Sequence, residues 1–140
     1  MLSLNDWITS SNKYPDRAKS SELTDDVKKN AQKLIDAVNG LLTELNFSAP
    51  KVSSGFRPSS VNAGVGGAKK SYHMTGLAVD IVDQDGKLDE AISSETGQLL
   101  LEKYGLWQEH PSKTKSWEHI DIAPRAIHPR PGCSIRQFWP

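Results

Sequence analysis

The stretch from Ser71 to Asp80, SYHMTGLAVD, is the feature that most constrains how this chain can fold. Its first half is polar and contains a glycine, whereas Leu77 to Val82 is apolar apart from Asp80. This change predicts a loop that enters a buried β-strand. An ionised carboxylate among apolar residues costs several kcal/mol unless a cation offsets its charge. A divalent metal shared with His73 is one solution, and the alternative is an Asp that caps a turn near Asp83 beside a surface His.

A second His–Asp pattern lies in the C-terminal third of the chain. The polarity alternates from Ser116 to Ile122, which predicts a β-strand. Successive side chains of a strand point to opposite faces, so Trp117, His119 and Asp121 share one face and Glu118 lies on the other.

The four histidines differ in their surroundings. His73 and His119 lie beside acids in strand-like sequence, whereas His110 and His128 each precede a proline in loop-like sequence. Together with Asp80, the first two give two imidazoles and one carboxylate. Three such ligands leave one tetrahedral position open, which is typical of a catalytic zinc site rather than a structural one.

Composition excludes several other classes of protein. The single cysteine, Cys133, allows neither an intrachain disulfide nor a thiolate zinc site. Lys+Arg and Asp+Glu both number 17, so no net charge attracts nucleic acid or an anionic membrane surface. The sequence contains neither a secretory signal nor a long apolar span. We therefore expect a monomer made in the cytoplasm that binds neither nucleic acid nor membrane.

The length of 140 residues predicts a single domain. We divide residues 1–140 into an N-terminal arm at 1–21, a scaffolding helix at 22–46 and a motif-bearing catalytic core at 50–140. The arm contains a short helical turn that lays Trp7 on the body of the protein.

Local patterns predict the remaining elements. In the scaffolding helix, apolar residues recur at intervals of three and four, and Thr24 is a suitable N-cap. Farther along we predict a strand at 51–57, a flexible loop at 59–70, a helical region at 88–104 that ends at Gly105, a loop at 109–115 and a tail at 123–140 without a long element.

The order of the motifs resembles a known family. The pattern Ser71-x-His73-x-x-Gly76-x-Ala78-x-Asp80 follows Ser54-Gly55-Phe56-Arg57-Pro58 and precedes Trp117-x-His119-x-Asp121. Over roughly residues 50 to 140 this is similar to the M15 zinc metallopeptidases, which are D-Ala-D-Ala carboxypeptidases and peptidoglycan endopeptidases, and most of all to their short phage-type branch. The resemblance implies an α+β fold of the hedgehog/DD-peptidase type, in which a small antiparallel sheet carries the zinc site and packs against helices.

The resemblance also implies roles for individual residues. His73, Asp80 and His119 would bind one Zn²⁺ ion. Arg57 would meet the substrate carbonyl or the negative charge that develops on it, with a surface salt bridge as the alternative. Ser71 would contact the substrate or support the site, and a turn-stabilising role is the alternative.

The general base is where this chain departs from the family pattern. Many members have an acid three positions before the last His, and this chain has Ser116 there. Three acids are near enough to replace it: Asp121, Glu118 and Glu109. We favour Asp121 because it shares a strand face with His119, and the alternative is that it orients the His119 ring. Glu118 points away, and Glu109 lies in a loop that can fold over the site.

The function implied by the resemblance is zinc-dependent hydrolysis of a peptide bond in bacterial peptidoglycan, for lysis, as by a bacteriophage endolysin, or for wall remodelling. The partner would be the peptide stem of the cell wall, and the site of action the periplasm or the wall. Ser116 leaves an alternative open, namely a catalytically inactive zinc-binding domain that acts as a binding or phage structural module.

Overall fold

The longest helix supports the rest of the domain. In the computed structural model, which describes residues 1–10, 14–125 and 133–140, helix α2 spans Asp25–Glu44. Thr24 caps it as predicted, and its hydroxyl accepts a hydrogen bond from the Val27 N–H at 3.3 Å. The apolar face is buried along its length at Ala31, Leu34, Ile35, Val38, Leu41 and Leu42. None of the helices in the described ranges is both long and apolar enough to cross a membrane.

Five short strands in the described residues form one sheet against this helix. They are β1 (Val52–Ser54), β2 (Ala78–Val82), β3 (Trp107–Glu109), β4 (Trp117–Asp121) and β5 (Gln137–Phe138). Their order is β1-β2-β4-β3-β5, and all neighbours are antiparallel except β3 and β5. The structure thus confirms the predicted α+β fold with a small, mainly antiparallel sheet.

The sheet has one face in the core and one face at the candidate site. Val79, Ile81 and Ile120 of the central strands β2 and β4 belong to the hydrophobic core. The alternate residues Asp80 and His119 are direct cross-strand partners on the other face. Period-two alternation therefore separates the apolar side of the sheet from its polar side.

The N-terminal helix α1 (Leu4–Thr9) holds two segments that lead to the candidate site. Trp7 is fully buried, as the sequence predicts, and its indole N–H donates to the carbonyl of Ala78 at 2.9 Å. The Trp7 carbonyl accepts from the N–H of Phe56 at 2.9 Å. Trp7 therefore joins the start of β2 to the segment that carries Arg57.

The prediction of a flexible loop at 59–70 is wrong for its first half. Residues Ser59–Gly64 form helix α3. The Glu22 carboxylate accepts from the Ser59 N–H at 3.2 Å and so satisfies a donor at the helix N-terminus. Because Glu22 is distant in sequence, the local composition of the segment did not indicate this helix.

Two further boundaries differ from the predictions. The helical region at 88–104 is divided into α4 (Lys87–Ser93) and α5 (Glu95–Tyr104) by Ser94, which is extended and caps α5. Gly105 ends α5 in the left-handed conformation, as predicted. The predicted loop at 109–115 begins inside β3, because this short strand pairs with β5 near the C-terminus. Part of the predicted tail, including His128, lies outside the described residues.

Candidate metal centre

The three predicted metal ligands come together in the structure. His73 is in a 3-10 turn (Tyr72–Met74), Asp80 in β2 and His119 in β4. His73 Nε2 lies 3.3 Å and His119 Nδ1 lies 2.7 Å from Asp80 Oδ1. One ligand atom from each residue lies within 4.8 Å of the others. The cluster could hold a metal ion.

The outer nitrogen of each imidazole is bound to an acceptor. His73 Nδ1 lies 2.8 Å from the carbonyl oxygen of Gly55, and His119 Nε2 lies 3.3 Å from Asp121 Oδ2. A carbonyl or carboxylate oxygen only accepts, so each outer nitrogen is placed to donate a hydrogen. His119 Nδ1 is likewise placed to donate to Asp80 Oδ1, and a metal ion bound there would replace that proton. The inner nitrogens, His73 Nε2 and His119 Nδ1, therefore face Asp80, as ligand nitrogens of a metal site do.

The charges of the cluster favour a cation between the side chains. Burial opposes ionisation of Asp80, but the attraction of His73 and hydrogen bonds from His119 and His73 lower its pKa below the ordinary value. Burial lowers the pKa of His73, against the attraction of Asp80, and so favours the neutral imidazole that binds metals. For His119 burial also disfavours charge, yet hydrogen bonds to Asp121 and Asp80 raise its pKa to about 10. A positive charge beside His119, whether a proton or a metal ion, is thus stabilised.

Arg57 contacts the cluster directly. Its Nη2 donates to Asp80 Oδ2 at 3.0 Å, and its Nε donates to the Ser54 hydroxyl at 2.9 Å. The Asp80 carboxylate therefore turns one oxygen to the imidazoles and the other to Arg57. The salt bridge is at the site rather than on a remote surface.

Ser71 has a local contact in the structure. Its hydroxyl caps the 3-10 turn and accepts from the N–H of His73 at 3.3 Å. This is the turn-stabilising role, and contact with a substrate stays a prediction. Gly76 then has a φ of +82°, and a β-carbon there would lie 2.3 Å from the Val27 carbonyl oxygen of α2. Only glycine fits this approach, which leads the chain from His73 into β2.

Asp121 is fully buried and both of its oxygens are engaged. Arg125 donates to Oδ2 through Nη2 at 2.5 Å and to Oδ1 through Nε at 3.3 Å. The guanidinium of Arg125 also lies 3.6 Å from the ring centre of Phe138. This arrangement favours the orienting role of Asp121 on His119 over the role of a base.

The other two acids lie on different sides of the sheet. Glu118 points into the core, as the alternation of β4 predicts, and is fully buried. Glu109 is at the end of β3, not in the loop that the sequence predicted. Strands β3 and β4 are antiparallel, with Trp107 opposite Asp121 and Gln108 opposite Ile120. If this register is continued by one residue, Glu109 is opposite His119.

The environment of Glu109 suits proton transfer. It is half-buried, and burial raises the pKa of its carboxyl, against the attraction of His119. The negative charges of Asp80 and Asp121 raise that pKa further. A carboxyl with a raised pKa beside a metal centre is a candidate general base.

Some groups of the site had no clear signal in the sequence. The Gly55 carbonyl and the bond from the Phe56 N–H to Trp7 are backbone contacts, which residue types do not report. Arg125 follows β4, and its pairing with Asp121 depends on the path of the chain after that strand. The opposite charges of these two residues were the only indication.

The donor set fits zinc. Zinc bonds of about 2.1 Å in a tetrahedron separate ligand atoms by about 3.4 Å. His73 Nε2 and Asp80 Oδ1 are 3.3 Å apart, whereas His119 Nδ1 and Asp80 Oδ1 are 2.7 Å apart, a hydrogen-bond distance that a bound ion would widen. Two imidazole nitrogens and one carboxylate oxygen are ligands that zinc accepts while a fourth position stays open.

Comparison with known proteins identifies the family. The pattern of the Peptidase M15 family matches residues 12–121, which include Arg57 and all three metal-ligand candidates. The resemblance in the motifs starts at about residue 50, and the family match begins earlier, at residue 12. Comparison with curated proteins finds no significant match. Because the family match covers more than half of the sequence, this chain belongs to the Peptidase M15 family.

Proposed function

We propose that this chain is a zinc-dependent peptidase that hydrolyses peptide bonds in bacterial peptidoglycan and acts in the periplasm or cell wall. Family membership implies peptidase activity on a peptide substrate. The observation that carries the proposal is the convergence of His73, Asp80 and His119, with their inner donor atoms facing one point. The peptidoglycan substrate rests on the resemblance of the motifs to carboxypeptidases and endopeptidases of the wall.

His73, Asp80 and His119 would hold one zinc ion. When bound, the ion supplies a Lewis acid that polarises a carbonyl and activates water near neutral pH. Asp121 would orient the His119 ring through Nε2, and Arg125 would hold the Asp121 carboxylate in place. The Gly55 carbonyl would hold the His73 ring in the same way.

Glu109 and Arg57 are the residues that we propose to act on the substrate. Glu109 would accept a proton from the attacking water and then deliver it to the leaving amine. Arg57 would donate a hydrogen bond to the carbonyl oxygen as negative charge develops there. A guanidinium offers donors in a fixed planar arrangement, which suits this task.

The proposal is tested by incubating the purified protein with peptidoglycan and analysing the released fragments by mass spectrometry. We expect peptide fragments whose new termini identify the bond, loss of activity with a chelator, and recovery with zinc. Stoichiometric zinc without any release from peptidoglycan or from short D-residue peptides would contradict an enzymatic function. Cleavage of other peptides alone would refute the wall substrate.

The second candidate is an inactive zinc-binding domain that serves as a binding or phage structural module. Ser116 favours it, because it replaces the acid found at this position in many family members. In the same experiment, such a domain binds zinc and leaves every substrate intact. Substitution of Glu109 separates the two candidates further, because only the enzyme has an activity that it would lower.

A further inference from the structure

A pocket of about 200 Å³ opens beside the metal centre on the side of β1. Its lining includes Tyr14, Arg17, Ser53, Ser54, Arg57 and Val61. Arg57 belongs both to this pocket and to the metal centre, since its Nη2 donates to Asp80. A group bound in the pocket would thus lie next to the reacting part of a substrate.

Arg17 is a buried charge without an acidic partner. The residue is only 5% exposed. Its hydrogen bonds go to the backbone carbonyls of Phe56 at 3.0 Å and Tyr14 at 3.2 Å, and to the Ser10 hydroxyl at 3.4 Å. No carboxylate of the described residues lies within ion-pair distance of its guanidinium, and residues 11–13 and 126–132 contain no Asp or Glu. Buried charges are normally paired, because desolvation is costly.

Arg136 is a second buried arginine, at 8% exposure, and the surroundings of the two guanidinium groups differ. Arg136 lies 3.8 Å from the centre of the Trp107 ring, and burial lowers its pKa against the negative charge of Glu102. Burial also lowers the pKa of Arg17, and the positive charge of Arg57 lowers it further, against an opposing contribution from Tyr14, whose ring centre is 5.8 Å away. Arg17 and Arg57 thus concentrate positive charge around one pocket, and only one of them has a carboxylate partner.

The remaining walls limit the size and polarity of a ligand. Val61 and Val65 give the pocket an apolar side. A volume of about 200 Å³ equals that of about six or seven waters at about 30 Å³ each, which is room for a small group such as a carboxylate with a short side chain.

We propose that this pocket binds a carboxylate group of the peptide substrate, through Arg17 and, next to the metal centre, Arg57. The Nε and Nη1 hydrogens of Arg17 are donated to protein acceptors, so its Nη2 is the group left to donate to a carboxylate. Such charge-assisted hydrogen bonds are stronger than bonds between neutral groups. The inference rests on the proposed function for the identity of the substrate, but the binding site itself does not depend on turnover. The carboxylate can come from the end of the peptide or from a side chain.

The test measures binding to the zinc-loaded protein by NMR titration, followed at the methyl groups of Val61 and Val65. The probes are N-acetyl-D-alanine with a terminal carboxylate, N-acetyl-D-isoglutamine with a side-chain carboxylate, and N-acetyl-D-alaninamide with none. We expect at least one acid to bind about tenfold more tightly than the amide. The acid that binds more tightly identifies the source of the carboxylate. Equal affinities for all three probes would overturn the proposal.

Variants separate this pocket from the metal, which also attracts anions. Arg17→Met removes the charge, and we expect it to weaken acid binding about tenfold while amide binding is unchanged. Arg17→Lys keeps the charge and the alkyl stem, but one ammonium group cannot bind the Phe56 and Tyr14 carbonyls and still present a donor where Nη2 lies, so a loss of several-fold is expected even if the Met variant folds poorly. Arg136→Met is the matched buried control and should leave affinity for the acids unchanged. Wild-type affinity for the acids in a folded Arg17→Lys protein would refute the assignment.

These results are readable whether or not the protein is an enzyme. If peptidoglycan is not cleaved but Arg17 still determines binding of an acid, the pocket stands and the proposed activity fails. If the wall is cleaved and the acids bind independently of Arg17, the activity stands and the pocket fails.

Discussion

His119 and Glu118 are neighbours in β4 but lie on opposite faces of the strand. The surroundings of His119 stabilise its charged form, whereas those of Glu118 disfavour its charged form. His119 lies between two carboxylates, Asp80 and Asp121, which raise its pKa to about 10. Glu118 is buried among core residues on the other face, and neither of its oxygens has a hydrogen-bond donor within the described part of the chain. Burial, and then the negative charge of Asp89, raise the pKa of Glu118 well above its ordinary value.

The difference arises from what the neighbouring elements supply. On the site face, β2 supplies Asp80 and the segment after β4 supplies Arg125, so the charged groups there have partners of opposite charge. On the core face the Gln108 amide opposes the rise in the pKa of Glu118, but its hydrogens are donated to Asp89 at 3.1 Å and to Ser93 at 3.0 Å. A buried charge is therefore stabilised on one face and suppressed on the other, which indicates that the first face is functional and the second only structural.

Removal of a ligand tests the site face most severely. In His73→Ala, Asp80 and one imidazole remain, and we expect loss of stoichiometric zinc and of peptide release. The effect should exceed the 10- to 100-fold change that an outer hydrogen-bond partner of a ligand typically contributes. Metal analysis and fragment release measure the two losses. His110→Ala is the control, because His110 lies on the Trp139 ring outside the cluster; full activity of His73→Ala would refute the site.

Removal of the proposed base should separate chemistry from metal binding. We expect Glu109→Gln to reduce the turnover rate by about 10²- to 10⁴-fold, because general base catalysis typically contributes this much, and to leave zinc content unchanged. Turnover on a soluble peptide and metal analysis are the measurements. Glu95→Gln, on the exposed start of α5, is the matched control. Near-normal turnover of Glu109→Gln would exclude it as the base and return attention to Asp121.

Asp121→Asn weakens the support of His119 without removing a ligand. We expect zinc affinity, measured by competition with a chelator, to fall about 10- to 100-fold. Turnover at saturating zinc should fall less than in Glu109→Gln, since Asp121 orients a ligand and does not transfer the proton. The opposite order of the two turnover rates would identify Asp121 as the base. Asp85→Asn, in an exposed turn, provides the control for the same chemical change.

Glu118→Gln tests the core face. In the folded state Glu118 binds its proton more tightly than in the unfolded chain, so the wild-type protein loses stability as the pH rises above about 4.3. The Gln variant lacks this loss, and we expect it to be more stable by about 1–3 kcal/mol at pH 8 and nearly equal to the wild type at pH 4.

Urea denaturation of the metal-free protein at the two pH values measures the effect. Glu90→Gln, an exposed change on α4, should alter stability little at either pH. A Glu118→Gln variant that is less stable than the wild type at pH 8 would show that the Glu118 carboxylate has a favourable partner. Zinc affinity should be unchanged, since Glu118 is on the face opposite the cluster.

Much of the fold was predictable because its signals are local. The spacing of apolar residues in α2, its cap at Thr24 and the alternation of β4 each depend on residues within a few positions of one another. Helix α3 was not predicted, because Glu22, which satisfies its first N–H, is 37 residues away. The strand at Glu109 was not predicted either, because β3 has only three residues and pairs with β5 near the end of the chain.

The sequence by itself determined which residue types are available to a metal, and on which strand face Asp80 and His119 lie, because these follow from motif order and period-two geometry. Only the tertiary structure decided which nitrogen of each imidazole faces Asp80 and which acids lie near His119. Those choices depend on the Gly55 carbonyl, on Arg125 and on the pairing of β3 with β4. Each brings together atoms that are distant along the chain, and residue spacing contains no record of their separation in space.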